Sequence, residues 1–361
     1  MTAVPTGRVV LSSMLLCSKQ ERRGGMSFGA LATTSVGSLP RPAWLAATAR
    51  SDVTFRMSGA PLVEALDDAT VVVLCEQEEL GLDILTDGEM RRTHFIFHIA
   101  GAWDGIDTRN LATKTTYRNR AANRLVPRVT GKIVRRGPAS VGDLTAAKAH
   151  TARPLKMAVP GPMTVVDSVL DDFYADEAAF AFDAAAAING ELRDLQGAGC
   201  AVLQIDEPAM TRYHDKVAAY GAKALDRCLD GITVPTVVHL CYGYPGGGER
   251  QHQYKYEDLL PLLMQTRIGG FTVEFGRSAF DPQVLKLCGD RIVMFGCVDP
   301  GDSPAPTADA IERRVAQALE WLDPKQVWLA PDCGLMTISR ELAHEKLKVM
   351  VEAAKRLRAR F

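Results

Sequence analysis

The sequence has no excess of charge of either sign, no long apolar run and no dense set of cysteines. Its 361 residues carry 42 Lys and Arg against 43 Asp and Glu, which argues against a nucleic-acid or membrane-surface partner. No apolar run approaches the roughly 20 residues that a membrane span needs. The eight cysteines are spread thinly along the chain, so a disulfide framework is excluded. The composition is that of an ordinary globular protein with ample apolar mass for a core.

The first residues contain a short apolar stretch that could be mistaken for a secretory signal. It runs only from Val9 to Leu16, one Arg precedes it, and KQERR follows where the small residues of a cleavage site belong. We therefore predict a disordered N-terminal tail over residues 1–29 of a cytoplasmic protein, with Met26 as an alternative start.

Short β-rich runs recur from residue 32 onward, each followed by a helical pattern. There are eight of them: 32–37, 82–87, 155–160, 201–206, 236–241, 271–275, 292–297 and 326–331. Most are almost continuously apolar, which is typical of parallel strands buried on both faces. Stretches between them, such as 61–80, 176–195, 256–266, 308–322 and 339–357, have the period of amphipathic helices. Eight such units predict a (β/α)₈ TIM barrel over residues 30–361.

A doubly wound open sheet is the alternative fold. It would place a Gly-rich phosphate turn after the first strand, and SVGSLPRP is not a G-x-G-x-x-G motif.

The longest irregular stretch, residues 105–153, is predicted to be a basic insertion after the second strand. Its Arg and Lys residues leave two interpretations open. It is either a solvated loop or a site that holds an anionic part of the substrate over the barrel mouth.

Polar side chains follow the predicted strands at the points where they end. Asp206, His239, Glu274, Asp299 and Cys333 are 25 to 35 residues apart, about one βα unit each. Because the βα loops of a barrel lie at one face, these residues are predicted to converge on one mouth.

Four of the residues at this mouth form a set with metal chemistry. His239 and Cys241 are two apart on a strand and face the same side. With Glu274 and Cys333 they offer two thiolates, an imidazole and a carboxylate, a donor set that suits zinc. Such a zinc holds a substrate thiol as a thiolate, so the predicted reaction is S-alkylation. The alternative for the cysteines is that they are ordinary buried thiols.

The sequence resembles the cobalamin-independent methionine synthases, in particular their C-terminal catalytic barrel. The similarity spans residues 32–358 and rests on TTSVGSLP, LTDGE, VPGPMT, LQIDEPAM, VHLCYG, TVEFGR and LAPDCGL, in the family's order. It implies a barrel of the methionine synthase/uroporphyrinogen decarboxylase type and a homocysteine methyltransferase of methionine biosynthesis. The implied zinc ligands are His239, Cys241, Glu274 and Cys333.

The resemblance also implies where homocysteine binds. A turn at Val36, Gly37 and Ser38 and two carboxylates, Glu89 and Asp206, would hold its amino-acid end. Carboxylates pair with an ammonium group, and backbone N–H groups of a turn bind a carboxylate. Structural alternatives remain for both acids: Glu89 could pair with Arg91 or Arg92, and Asp206 could cap a helix.

Departures from the family concern the methyl donor. Ser168 stands where a Trp stacks on the pterin of methyl-folate, and Arg212 replaces a folate-binding Glu; Arg124 could match a folate-contacting Arg. The proton-donating His of the loop after strand seven is absent, because there is no His between His252 and His344.

These departures bear on the chemistry of the donor. A folate amine leaves readily only when it is protonated, whereas a corrinoid cobalt needs no acid. The sequence therefore favours methylcobalamin or a corrinoid protein over methyltetrahydrofolate, unless Asp302 or Asp299 substitutes as the acid.

Three other functions stay open. One is a zinc alkyltransferase acting on another thiol, such as an epoxide:coenzyme M transferase, although a sulfonate would prefer cations to Glu89 and Asp206. Another is a non-catalytic protein that binds zinc and a thiol. A decarboxylase of the uroporphyrinogen group is the third, and it has no use for thiolate-bound zinc.

Overall fold

The computed structural model describes residues 28–49, 52–115, 123–242, 255–278 and 280–361. Nearly all of the predicted tail, residues 1–29, lies outside the described residues, as does segment 116–122 of the basic insertion. Within the described ranges, no helix is both long and apolar enough to cross a membrane.

Seven parallel strands form the central sheet. The strands of the described residues are Ala32–Thr33 (β1), Ala46–Ala49 (β2), Asp52–Phe55 (β3), Trp103–Thr115 (β4), Asn123–Arg135 (β5), Lys156–Pro160 (β6), Leu170–Asp171 (β7), Val202–Asp206 (β8), Thr236–His239 (β9), Gly270–Glu274 (β10), Ile292–Val298 (β11) and Val327–Pro331 (β12). The central sheet has the order β1-β12-β11-β10-β9-β8-β6. Neighbours in this sheet follow one another along the chain, as the strands of a barrel do.

The predicted second strand, residues 82–87, closes the ring but is not a regular strand. Ile84 bridges Thr34 and Leu85 bridges Leu155, each as an isolated parallel bridge. The side chain of Gln77 explains the interruption, because it accepts from the N–H and donates to the C=O of Thr86. These backbone groups are thereby satisfied outside the ladder. The predicted (β/α)₈ barrel is confirmed. Residues 82–87 occupy the place of the eighth strand and are joined to their neighbours by two isolated β-bridges.

Helices follow the strands and cover the outside of the sheet. They are Gly59–Leu80 (α1), Phe95–Ala100 (α2), Val141–Lys148 (α3), Pro162–Ser168 (α4), Glu177–Gly197 (α5), His214–Lys216 (α6), Ala222–Cys228 (α7), Tyr256–Leu263 (α8), Ala308–Leu319 (α9) and Arg340–Arg358 (α10). A π-helical turn, Val217–Gly221, joins α6 to α7, and Pro282–Cys288 is a 3₁₀ helix. The five helices predicted from periodicity are α1, α5, α8, α9 and α10.

A small apolar cluster fills the lumen beneath the strand ends. Its buried members are Ala32, Val36, Ile84, Val202, Val237, Met294, Trp328 and Ala330. Because they come from strands all round the ring, they can meet only inside it. Phe28 packs edge-on against Trp328, with ring centroids 5.1 Å apart. The lumen therefore has an apolar floor below its polar rim.

The predicted basic insertion over residues 105–153 is not irregular for most of its length, which corrects that part of the prediction. Strands β4 and β5 form an antiparallel hairpin, β5 also pairs with β7, and α3 follows. Acidic residues outside the insertion neutralise part of its positive charge. Ion pairs join Arg128 to Asp172, Lys132 to Asp183, and Arg135 to both Glu191 and Asp194. These pairs favour a structural role for the paired cations.

The start of α4 is fixed by a buried carboxylate from the next βα unit. Glu207 accepts hydrogen bonds from the N–H groups of Met163 and Thr164, at 2.9 Å each, and from the Thr164 hydroxyl at 2.7 Å. A Cβ atom on Gly161 would lie 2.3 Å from the Glu207 side chain. Glycine at position 161 therefore permits this close approach.

Replacing Gly161 with Ala is expected to destabilise the fold by about 1–3 kcal/mol, because the bonded Glu207 side chain cannot move aside. Denaturant unfolding measures the effect. Gly142→Ala in α3 is the matched control, since a Cβ there meets nothing within 4 Å, and it is expected to be neutral or stabilising. Equal stability of the two variants would contradict this account.

Candidate metal and substrate site

A cleft of about 690 Å³ opens at the carboxyl ends of the barrel strands. It is lined by Val36, Ser38, Arg41, Val53, Glu89, Arg92, Thr93, His94, Phe95, Asp206, Pro208, His239, Cys241, Cys333, Gly334 and Met336. The lining contains seven residues that the sequence nominated for the metal or substrate site, brought together from distant parts of the chain.

Three buried side chains in this cleft offer soft metal ligands. His239 ends β9, Cys241 lies two residues further on, and Cys333 follows β12. The two Sγ atoms are 3.4 Å apart, and the Cys333 Sγ lies 3.8 Å from His239 Nε2. All three ligand atoms lie within 4.8 Å of one another. Two thiols and an imidazole this close are the donor set of a tetrahedral metal ion.

The imidazole of His239 is oriented by the neighbouring strand. Its Nδ1 lies 2.7 Å from the Thr272 hydroxyl of β10, and the same oxygen accepts from the Leu240 N–H. With Nδ1 engaged in this way, Nε2 faces the two sulfur atoms. A hydrogen bond to the second ring nitrogen is the usual means of fixing a metal-binding histidine.

Glu274, the fourth predicted ligand, lies beside this trio but outside it. It ends β10 and is only 1% exposed. One carboxylate oxygen accepts from the Tyr242 N–H at 2.8 Å, and the other from the Ser278 hydroxyl at 3.4 Å. Its role as a ligand therefore stays a prediction.

Asp332 organises the loop after β10, a role not predicted from the sequence. Its carboxylate accepts from the N–H groups of Phe275, Gly276 and Arg277 at 2.7 to 3.2 Å. Because Asp332 directly precedes Cys333, these bonds hold the segment after Glu274 next to the segment that carries Cys333. The only sequence signal is the acid that precedes Cys333 in LAPDCGL.

The predicted amino-acid site shares the cleft with the thiols. Val36, Ser38, Glu89 and Asp206 all line it. A Cβ atom on Gly37 would lie 2.8 Å from a carboxylate oxygen of Glu89, so the turn packs closely against that acid. Glu89 has a left-handed backbone, with φ of 56°, which is a strained conformation typical of functional sites. Burial raises the pKa of both Glu89 and Asp206, so both carboxylates favour a cationic ligand.

One of the structural alternatives for the two acids is present in the structure. Glu89 forms an ion pair with Arg92, with the N and O atoms 3.7 Å apart, whereas Arg91 pairs with Asp67. Asp206 accepts from the Gln204 amide at 2.7 Å, and the neighbouring Glu207 makes the helix-capping bonds.

The residues nominated for the donor or for acid catalysis do not line this cleft. Asp299 accepts from Gly301 N–H and Ser303 within its own loop, and Asp302 is exposed. The Arg212 guanidinium donates to the Pro208 carbonyl. Ser168 is the last residue of α4. Arg124 lies opposite Lys114 in the strand register of the β4–β5 hairpin. Their predicted roles stay predictions.

Sequence reasoning missed several lining residues, notably Arg41, His94, Phe95 and Met336. The Arg41 guanidinium donates to the carbonyls of Glu89 and Arg92 and so supports the turn that carries Glu89. Arg41 and His94 lie close to the quoted motifs in the sequence, but no spacing rule connects them.

Comparisons with known proteins agree with this architecture. The profile of the family described as cobalamin-independent synthase, catalytic domain, matches residues 31–356. A methionine synthase of Saccharolobus solfataricus is 31% identical over 334 residues, covering 91% of this chain and 95% of the relative. One of Sulfurisphaera tokodaii is 30% identical over 331 residues, covering 91% and 93%.

Solved structures show the same fold. A B12-independent methionine synthase from Shewanella in complex with selenomethionine superposes with a TM-score of 0.86 at 28% identity, covering 92% of this chain and 98% of that chain. A methyltransferase from Methanosarcina mazei has a TM-score of 0.59 at 15% identity, covering 91% and 94%, a likeness of fold alone.

Fold, site and comparisons together define an enzyme of the methyltransferase class built on a (β/α)₈ barrel. The chain belongs to the catalytic-domain family of the cobalamin-independent synthases.

Replacing Thr272 with Val is expected to weaken metal binding roughly 10- to 100-fold, because the His239 ring loses the contact that orients it. Competition with a chelating dye measures the affinity. Thr236→Val is the control, since its hydroxyl accepts from Gly269 N–H away from the trio. Unchanged metal affinity in the Thr272 variant would contradict the assigned orientation.

Proposed function

We propose that the protein transfers a methyl group to the sulfur of homocysteine, giving methionine, with zinc bound by His239, Cys241 and Cys333 and with Glu274 as the fourth ligand. The observation that carries the proposal is the shared cleft. Buried metal-type ligands and a carboxylate-lined amino-acid site open into the same space.

The donor trio fits zinc in spacing as well as in chemistry. Ligand atoms around a tetrahedral zinc with thiolate bonds of about 2.3 Å lie about 3.8 Å apart. The distances of 3.4 Å between the two sulfur atoms and 3.8 Å from sulfur to imidazole are close to that value. Zinc bound there would lower the pKa of a thiol and keep it as the thiolate nucleophile at neutral pH.

The protein's own residues would hold the amino-acid end of the substrate. Glu89 and Asp206 face the same cleft and would pair with the α-ammonium group. Backbone N–H groups of the turn at Val36 and Ser38 would bind the α-carboxylate. Pairing with an ammonium would also offset the burial that raises the pKa of both acids.

The transfer needs a methyl donor whose leaving group the site can release. A sulfur lone pair forms the new S–C bond, and the electron pair of the broken bond stays with the donor. A folate nitrogen must gain a proton as it leaves, whereas a corrinoid cobalt keeps the pair as cobalt(I) without one. The question is therefore whether the cleft offers an acid.

Two histidines of the described residues line the cleft, His239 of the metal-type trio and His94, and His94 is poorly suited to that task. His94 caps α2, and its Nδ1 accepts from the Ile96 N–H at 3.2 Å. With Nδ1 engaged as an acceptor, this nitrogen carries no proton that it could donate to a leaving group. Asp299 and Asp302 lie outside the lining. For the part of the chain that the structure describes, these observations support methylcobalamin or a corrinoid protein as donor over methyltetrahydrofolate.

The donor assay tests the proposal directly. Zinc-loaded protein is incubated with homocysteine and either methylcobalamin or methyltetrahydrofolate in mono- and polyglutamate forms, and methionine is quantified. We expect methionine with methylcobalamin, about one zinc per chain, and loss of both zinc and turnover in Cys333→Ala. Cys75→Ala, on α1 away from the site, is the control.

Each contrary outcome of this assay has a definite meaning. Efficient methylfolate turnover would refute the donor assignment, and activity of metal-free protein would refute the zinc role. Preferred alkylation of coenzyme M would favour the alkyltransferase alternative. Binding of homocysteine without turnover on any donor would favour a binding protein.

Replacing Glu89 with Gln is expected to raise the homocysteine KM about 10- to 100-fold with a smaller change in kcat, because a charge-assisted bond to the ammonium is lost. Steady-state kinetics with saturating donor provide the measurement. Glu79→Gln, exposed on α1, is the matched control. A fall in kcat at unchanged KM would place Glu89 in the chemical step instead.

A further inference from the structure

We infer that Lys156 is a positioning residue for the amino-acid end of the substrate: its ammonium group fixes the turn at Val36 and, through Gln204, the carboxylate of Asp206. This inference rests on the proposed function. It concerns a residue that neither the strand-end pattern nor the motifs single out.

Lys156 lies inside the barrel, at the start of β6, and is 1% exposed. Its Nζ donates to the Val36 carbonyl at 2.6 Å and to the side-chain oxygen of Gln204 on β8. The amide nitrogen of Gln204 donates to Asp206 Oδ1 at 2.7 Å. One buried cation therefore connects the turn after β1 to the acid at the end of β8.

The donor and acceptor directions of these hydrogen bonds are compatible with the proposed binding of an amino acid. Holding the Val36 carbonyl toward the lumen fixes the peptide planes of the turn that would bind the α-carboxylate. Because Lys156 Nζ donates to the Gln204 oxygen, the amide is oriented with its nitrogen toward Asp206. Asp206 is thereby held in one rotamer at the cleft wall.

Packing requirements alone do not account for a lysine at this position. Its register partner on β8 is Val202, a member of the buried apolar cluster that also contains Trp328 and Met294, so an aliphatic side chain at position 156 would avoid the cost of burying a charge. Burial lowers the pKa of Lys156 to about 8, with Asp206 and Glu89 raising it, so the ammonium form prevails at neutral pH. Burying a charged ammonium group costs free energy. Its bonds toward Val36 and Asp206 give a functional reason for keeping a lysine at this position.

Lys156 is not among the residues that line the cleft. It therefore acts on the substrate through Val36 and through Gln204 and Asp206. A defect at this position should affect recognition of the amino-acid end and leave the metal's affinity for a thiol unchanged.

Titrations of the full-length protein with cobalt in place of zinc test this inference, since thiolate binding changes the visible absorption. The ligands are homocysteine and 2-mercaptoethanol, a thiol without an amino-acid end. We expect Lys156→Met to raise the Kd for homocysteine roughly 10- to 100-fold and to leave the Kd for 2-mercaptoethanol within twofold.

Two further variants keep the test decisive. Gln204→Met removes the link to Asp206 while Lys156 keeps its bond to Val36. If Lys156→Met does not fold, the titrations can therefore be made with the Gln204→Met variant. We expect a selective loss of homocysteine affinity there too. Lys346→Met is the matched control: Lys346 is also a buried lysine bonded to backbone carbonyls, those of Asp299 and Gly301, and it does not line the cleft.

Unchanged homocysteine affinity in Lys156→Met and Gln204→Met would overturn the inference. Equal weakening of both thiols would also overturn it, because that result indicates general damage to the metal site. Failure of the wild-type protein to bind homocysteine, with 2-mercaptoethanol still bound, would refute the proposed function and this inference with it.

Discussion

The closed parallel sheet is the constraint on which the site depends. Because all strands run in one direction, their carboxyl ends meet at one rim, and residues from the ends of β8, β9 and β12 become neighbours. His239 and Cys333 are 94 positions apart in the chain, yet their ligand atoms are 3.8 Å apart. Without closure of the ring at Ile84 and Leu85, the turn at Val36 would not face Asp206 across the lumen.

The lumen of the ring combines an apolar cluster with a chain of buried polar groups that leads to the cleft. Lys156 donates to the Gln204 side-chain oxygen, and the Gln204 amide nitrogen donates to Asp206. Because each polar group in this chain is hydrogen-bonded to the next, the lumen can hold charges that would otherwise be too costly to bury.

Much of this arrangement follows from the sequence, because strand periodicity and the position of polar residues at strand ends are local properties. The barrel, five helices and the sharing of a cleft by His239, Cys241, Cys333, Glu89 and Asp206 were predictable in this way. The basic insertion was misjudged because its charges suggested a loop, whereas its ion pairs to β7, α5 and their flanking residues depend on tertiary contacts. The irregular second strand depends on one side chain, Gln77, whose hydrogen bonds no propensity reports.

The central proposal is that a zinc ion held by His239, Cys241 and Cys333 would bind the substrate sulfur. Zinc X-ray absorption spectroscopy of the loaded protein, with and without homocysteine, tests it most directly. We expect two sulfur ligands from Cys241 and Cys333 in the free protein and a third sulfur at about 2.3 Å when homocysteine is added. An unchanged sulfur count on addition of homocysteine would contradict it.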